Sequence, residues 1–205
     1  MTDEFRTVAE EFRYETERVK GSRFLATVFP ARSAEEAEAA VARISLEFAD
    51  ASHNCWAWRL GKRGELFRFS DDGEPGGSAG RPILAQIEGH DVTDLGVVVT
   101  RWFGGTKLGV GGLMRAYGGA AGQALDRAPI RTVVVTRAVM LSFPYECSGV
   151  LEGLLGELGL EPRAAVYEAD VRFDLDVPER TLEAFRAEVA ERTAGRAAVT
   201  DRPSA

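Results

Sequence analysis

The sequence lacks several features that define common classes of protein. It has only two cysteines, Cys55 and Cys147, which lie too far apart for a CxxC pair or a zinc-type ligand spacing. No apolar run approaches the ~20 residues of a membrane-spanning helix, and the acidic start MTDEFRTVAEEFRYE has no signal-peptide core. These absences predict a cytoplasmic protein with reduced thiols and no membrane partner.

Motifs of familiar catalytic sites are missing as well. There is no GxSxG nucleophile motif and no HExxH zinc motif. The segment from Gly104 to Gly109 has the first spacing of a Walker A loop, but Val110 stands where that loop needs lysine. Met114 occupies the third glycine position of a GxGxxG fingerprint. We therefore predict no catalytic residue, no bound metal and no cofactor, which favours a protein that is not an enzyme.

The overall charge bears on possible partners. The net charge of −7 argues against the general nucleic-acid affinity of a strongly basic protein, but it does not exclude a local basic patch. A length of 205 residues suits one large domain or two small ones.

Two segments with different patterns follow one another. Before Pro129, extended segments precede a helix that the capping box SAEE starts at Ser33, and HNCWAWRLGKRGELFRFS predicts a hairpin. After Pro129, TVVVTRAVMLSF predicts one strand, and the remaining segments continue the order β-α-β-β-α-β of a ferredoxin-like domain. The predicted domains are 1–129 and 130–205.

The stretch TRWFGGTKLGVGGLMRAYGGAAGQAL combines a buried strand, a glycine-rich loop and a helix. This order presents free backbone N–H groups and the positive end of a helix to one point, where Arg101, Lys107 and Arg115 can add charge. Two interpretations stay open: an anion or phosphate contact, or glycines that serve tight turns beside solvated cations.

The loop SDDGEPGGSAG carries the three carboxylates Asp71, Asp72 and Glu74. They can hold Mg²⁺ or act as an acid/base pair. They can equally bond to their own loop backbone and pair with arginines, which is the interpretation we favour.

His53 and Cys55 share a strand face without an orienting third group, so we predict sheet residues there and not a thiolate nucleophile. Trp56 and Trp58, on the other face, are typical of a core.

HNCWAWRLG, FSDDGEPGGSAGRPIL and VVVTRWFGGTKLGVGGLMRAYG, in this order and spacing, resemble the signature of the YigZ/IMPACT family over about Phe24 to Leu125. The resemblance implies an α+β protein. Its N-terminal α/β domain would be like the second domain of ribosomal protein S-five. A ferredoxin-like C-terminal domain, similar to the last domain of elongation factor G, would follow.

The resemblance also implies which residues form a binding face. In the glycine stretch and the acidic loop these are Arg101, Phe103, Gly104, Gly105, Lys107, Gly109, Gly111, Gly112, Arg115, Tyr117, Asp71, Asp72, Gly73 and Glu74.

Eukaryotic IMPACT relatives are regulators of translational control, so the resemblance implies a role in translation. RNA, the ribosome or a translation-control protein is then the expected partner. Two alternatives remain at this point: an enzyme that handles a nucleotide or phosphometabolite, and a protein-interaction module without nucleic acid. A small-molecule ligand therefore stays open.

Overall fold

The computed structural model describes residues 4–202, which form two compact units, Glu4–Val133 and 134–202. Each unit combines helices with antiparallel sheet, so the predicted α+β class with two domains is confirmed. Within residues 4–202 no helix is both long enough and apolar enough to cross a membrane.

The N-terminal unit is built on a five-stranded sheet. Its elements are β1 Glu4–Val8, β2 Phe12–Glu15, β3 Arg23–Pro30, α1 Ala34–Glu47, β4 His53–Leu60, β5 Leu66–Ser70, α2 Gly80–Gly89, β6 Leu95–Trp102, α3 Val110–Leu125 and β7 Ile130–Val134. The main sheet is antiparallel throughout, in the order β2-β3-β6-β4-β5, and β1 pairs separately with β7.

Helices cover both faces of the main sheet. On one face α1 packs over Phe29, Trp58 and Val98. On the other face α2 and α3 pack over a cluster that includes Cys55 and Val97. Cys55 and Trp58 thus lie on opposite faces of β4, as the alternation in HNCWAWRLG predicts, and both are fully buried.

The start of α1 agrees with the predicted capping box. The N–H of Glu36 donates to the Ser33 hydroxyl over 3.2 Å, and the Glu36 carboxylate accepts from the N–H of Arg32 at 2.8 Å. The second bond goes to the N–H one residue before the N-cap Ser33 and not to that of Ser33 itself, and together the two bonds position the first turn.

The C-terminal unit has the predicted order β-α-β-β-α-β. Its elements are β8 Thr136–Pro144, α4 Ser148–Leu158, β9 Ala164–Tyr167, β10 Asp170–Pro178, α5 Leu182–Arg192 and β11 Ala198–Asp201. The sheet is antiparallel in the order β11-β8-β10-β9. Its core joins the sheet residues Phe143 and Phe173 to Leu151 of α4 and Phe185 of α5. The ferredoxin-like architecture is therefore confirmed.

One predicted strand is wrong. TVVVTRAVMLSF is not continuous, because β7 ends at Val134 and β8 begins at Thr136. The first strand pairs with β1, whereas the second pairs with β10 and β11. The carbonyl of Val135, between them, accepts a hydrogen bond from the N–H of Glu179 at 3.0 Å. The break could not be predicted from the run of β-branched residues. Such residues favour a strand on both sides of it, because strand propensity does not depend on which strand is the pairing partner.

Candidate functional site

The acidic loop between β5 and α2 is folded around Asp71. The two carboxylate oxygens accept hydrogen bonds from the N–H groups of Gly77, Ala79 and Gly80 at 2.7, 2.8 and 2.8 Å. Burial opposes the charge, but these three donors hold the pKa of Asp71 below its ordinary value. Because Ala79 and Gly80 open α2, Asp71 caps the helix from a distance, and the helix begins two residues before Pro82.

Asp72 joins the same loop to the edge of β4. Its carboxylate accepts from the N–H of Asn54 at 2.6 Å, and its carbonyl oxygen lies 2.7 Å from Nδ1 of His53. Its φ of 42° lies in the left-handed region, which aspartate tolerates better than most residues, and Gly73 follows with φ 83°. Asp71 and Asp72 therefore use their carboxylates to fold the loop, as the favoured sequence interpretation predicts.

Glu74 brings the acidic loop and the glycine stretch together. Its Oε1 atom accepts a hydrogen bond from Nη1 of Arg101 at 2.6 Å and another from the hydroxyl of Tyr117 at 2.6 Å. The Glu74 and Arg101 side chains are each only 5% exposed. Burial raises the pKa of Tyr117, so its hydroxyl stays protonated and serves as the donor. The buried ion pair and the hydrogen bond from Tyr117 thus connect the loop after β5, the end of β6 and the helix α3.

Arg101 is an interior residue of this site. Its Nη2 atom donates to the Ser22 hydroxyl at 3.2 Å, and its guanidinium carbon lies 5.6 Å from the ring centre of Phe24 and 5.5 Å from that of Phe103. Three cations are predicted to contact phosphate. Arg101 is buried and forms an ion pair with Glu74, whereas Lys107 and Arg115 are exposed.

The glycines of the loop from Phe103 to Gly109 have two different uses. Gly104 lies against the backbone of Gly21, so close that a Cβ atom on Gly104 would come within 1.9 Å of the Gly21 carbonyl carbon. Gly105 and Gly109 have φ values of 87° and 72°, a backbone conformation that residues other than glycine rarely adopt. Gly104 therefore allows close packing, and the other two allow the turns that lead into α3.

The start of α3 is open to solvent. Gly109 at the N-cap position offers no side-chain cap, and no acidic residue lies in the first turn, which contains Gly111 and Gly112. Arg115 folds back toward this turn, with Nη1 3.7 Å from the position that a Cβ atom on Gly111 would occupy. Within residues 4–202 no carboxylate pairs with Lys107 or Arg115, although the chain as a whole is acidic.

The geometry disfavours the hypothesis that the acidic loop holds Mg²⁺. All three carboxylates already accept hydrogen bonds from the protein, as described above. Among the residues that the structure describes, no group of three or more His, Cys, Asp or Glu side chains has the arrangement of a metal site.

Cys55 is placed as a core residue and not as a nucleophile. Its thiol donates to the carbonyl of Asp71 at 3.0 Å, and burial raises its pKa to about 12, with the nearby carboxylates of Glu74 and Asp72 adding to the shift. The thiol form therefore predominates at neutral pH, whereas a cysteine nucleophile needs the thiolate.

We expect neither cysteine to react quickly with a thiol-specific disulfide reagent in the native protein, because Cys55 and Cys147 are both buried. Both should react at once in guanidinium chloride, which serves as the control for total thiol. Rapid labelling of one thiol in the native state would contradict the placement, and the Cys55→Ser variant would show which thiol reacted.

Some members of the site carry no signal in the sequence. Ser22 lies in a segment whose pattern indicates only a turn, yet its hydroxyl accepts from the N–H of Gly104 and from Arg101. Phe24 packs edge-on against Tyr117 with ring centres 5.3 Å apart. The cross-strand register Phe24–Arg101–His53 places these residues in one row on the α3 face of the sheet, which could be found only from the strand order.

Comparison with known proteins places this geometry in context. Residues 20–125 match the model of the Impact N-terminal domain, and residues 141–196 match a Domain of unknown function (DUF1949). The IMPACT family member in pol 5'region of Thermus thermophilus is 45% identical over 78% of this chain and 86% of its own length. The IMPACT family member YigZ of Escherichia coli (strain K12) is 35% identical over 87% of this chain and 89% of its own length. A solved structure described as "Crystal structure of an hypothetical protein" is 30% identical, with a TM-score of 0.70 and 100% of both chains covered.

Proposed function

The chain belongs to the IMPACT family, and we propose that it is a non-enzymatic, cytoplasmic protein that binds RNA of the translation machinery. The contact surface would be the exposed part of the glycine loop together with the start of α3. Phe103, which is 50% exposed, Lys107 and Arg115 are its side chains. Translation as the setting follows from the resemblance to the eukaryotic regulators.

The observation that carries the proposal is the pair of unpaired cations at an uncapped helix start. Helix N-termini attract anions because their free N–H groups and the helix dipole act in the same direction. Lys107 and Arg115 add two charges at this end of α3, and neither forms an ion pair with a carboxylate of residues 4–202. A phosphate group is the anion that RNA presents along its whole length.

The buried pair supports this role indirectly. Glu74 neutralises Arg101 and ties α3 to the acidic loop through Tyr117. The exposed cations therefore stand on a backbone that is already held in place, which lowers the ordering cost when a ligand binds.

Removal of both exposed cations, Lys107→Gln with Arg115→Gln, should weaken RNA binding and its dependence on salt. The slope of log K against log salt should become shallower by about 1.4 to 1.8 if two phosphate contacts are lost. The measurement is fluorescence anisotropy with ribosomal RNA, alongside co-sedimentation with ribosomes from a bacterial lysate at low and moderate salt.

The matched control removes the same number of charges from the opposite side of the sheet. Arg32 and Arg43 lie just before and within α1, so Arg32→Gln with Arg43→Gln should leave the slope unchanged. An unchanged slope in the Lys107/Arg115 variant would refute this contact surface.

Capture of a protein partner whose binding survives nuclease treatment, without ribosome binding, would indicate a protein partner in place of RNA. A thermal shift with nucleotides and Mg²⁺ would revive the enzyme hypothesis.

A further inference from the structure

A groove between α2 and α3 runs beside the proposed contact surface. It has a volume of about 490 Å³, and Arg81 of α2 and Arg115 of α3 both line it. Gly118 of α3 also lines it, and a Cβ atom there would lie 3.6 Å from Cβ of Pro82 on α2. Arg115 thus belongs to both the start of α3 and the groove, so the two surfaces are continuous within the N-terminal unit.

The groove leads to two exposed aromatic rings on the edge strand β5. The guanidinium carbon of Arg81 lies 5.5 Å from the ring centre of Phe69. Phe69 is 38% exposed and Phe67 is 44% exposed. Their register partners on β4 are Ala57 and Arg59. Ala57 is buried under α2 and α3, and paired residues of an antiparallel sheet share a face. Both phenylalanines therefore lie on the α2 side.

The charges on the two sides of β5 differ. Arg68, between the two phenylalanines, points to the opposite face and pairs with Glu38 of α1. On the aromatic side, no carboxylate of the described residues 4–202 pairs with Arg81 or Arg115. Among the described residues that line the groove, Glu88, at the later end of α2, is acidic. Two arginines without a carboxylate partner in the described part of the chain thus lie next to exposed aromatic rings, although the chain has a net charge of −7.

From this arrangement we infer that the groove and the β5 edge bind single-stranded RNA. Bases stack on Phe67 and Phe69, while Arg81 and Arg115 hold the backbone phosphates. Phe67 and Phe69 are two positions apart on one face of β5, so their Cα atoms are ~6.5–7 Å apart along the strand and successive bases can reach both side chains. Stacking needs an unpaired base with an accessible face, which a duplex hides, and the combination of aromatic rings with a basic groove is typical of single-strand recognition. This inference rests on the proposed function and specifies its ligand.

The test is anisotropy of a labelled single-stranded oligouridine, titrated with the full chain at several salt concentrations. Phe67→Leu with Phe69→Leu keeps apolar side chains on the strand but removes the rings. We expect binding to weaken at least about fivefold per ring, with the salt slope unchanged. Arg81→Gln should instead make the slope shallower by about 0.7. Arg68→Gln, with the same charge change on the other face of β5, should alter neither quantity.

The outcomes separate this inference from the proposed function. Full affinity in the Phe67/Phe69 variant, or equal competition by duplex RNA of the same length, would overturn the single-strand assignment and leave the proposed function standing. The single-strand assignment also falls if wild-type protein does not bind oligouridine but co-sediments with ribosomes in a salt-sensitive way. If it binds neither, both fall. Tryptophan emission of each variant, compared with wild type, confirms that the N-terminal unit is folded.

Discussion

Replacing Gly104 by alanine is expected to destabilise the N-terminal unit by about 3 kcal/mol or more. The new Cβ atom would lie 1.9 Å from the carbonyl carbon of Gly21 and 2.2 Å from the backbone nitrogen of Ser22. Both contacts are with backbone, so no side-chain rotation can relieve them. The turn before β3 would have to move away from the glycine loop, and the hydrogen bond from the Gly104 N–H to the Ser22 hydroxyl would be lost.

Two other glycines of the same stretch provide matched controls. Gly105 has open space around it but a φ of 87°, so Gly105→Ala should cost only the strain of that conformation, about 1–2 kcal/mol. Gly119 has open space within α3 and no unusual φ. Gly119→Ala should therefore stabilise the helix by up to about 1 kcal/mol. The three variants of Gly104, Gly105 and Gly119 thus separate the effects of steric contact, backbone strain and helix propensity on the free energy of unfolding.

Urea unfolding followed by tryptophan fluorescence is the appropriate measurement. Trp56, Trp58 and Trp102 are the three tryptophans of the sequence, and all lie in the N-terminal unit. The signal therefore reports this unit alone, which avoids mixing the transitions of two domains. A Gly104→Ala midpoint close to that of wild type would show that the two backbone segments do not touch.

Removal of one partner of the buried Glu74–Arg101 pair should be comparably severe. Arg101→Met leaves the Glu74 carboxylate in the interior with Tyr117 as its hydrogen-bond donor and with Nε2 of His53 3.9 Å from Oε1. Glu74→Gln leaves the guanidinium without its charged partner. Breaking a buried pair in this way typically costs about 3–5 kcal/mol, because the remaining charge has lost both water and its partner. The fluorescence-detected unfolding described above measures the loss.

A surface pair in the same unit is the control. Arg68 and Glu38 also form an ion pair, but their side chains are 65% and 51% exposed. Water and salt screen such a pair, so Arg68→Met should change the free energy of unfolding by about 0–1 kcal/mol. Equal losses for Arg101→Met and Arg68→Met would contradict the burial of the first pair.

The double variant Glu74→Gln with Arg101→Met completes the cycle. It removes both charges, while glutamine can still accept from the Tyr117 hydroxyl. We expect it to be more stable than the sum of the single losses predicts, since no charge is then left alone in the interior. A strictly additive result would mean that Glu74 and Arg101 do not interact.

Much of the architecture could be predicted from local patterns. The capping box at Ser33, the alternation that separates Cys55 from Trp58, and the order β-α-β-β-α-β after Pro129 each depend on residues close in sequence. Such patterns report backbone periodicity and end caps, which neighbouring residues determine. The motif-rich segments also indicated the family over about Phe24 to Leu125, and the family model matches residues 20–125.

The roles of individual residues within the site could not be predicted in that way. Asp71, Asp72 and Glu74 look equivalent in sequence, yet only Glu74 meets Arg101, which is 27 positions away. Arg101 and Lys107 look like similar cations, but strand pairing places Arg101 between two neighbouring strands of the sheet.

The break at Val135 and the exposed rings of Phe67 and Phe69 have the same explanation, since both depend on which strand lies at an edge and which sheet it joins. By itself, the sequence determined the elements other than the break at Val135, their order and the family. The tertiary structure alone decided which charges are buried and which face solvent, because burial depends on contacts between residues that are distant along the chain.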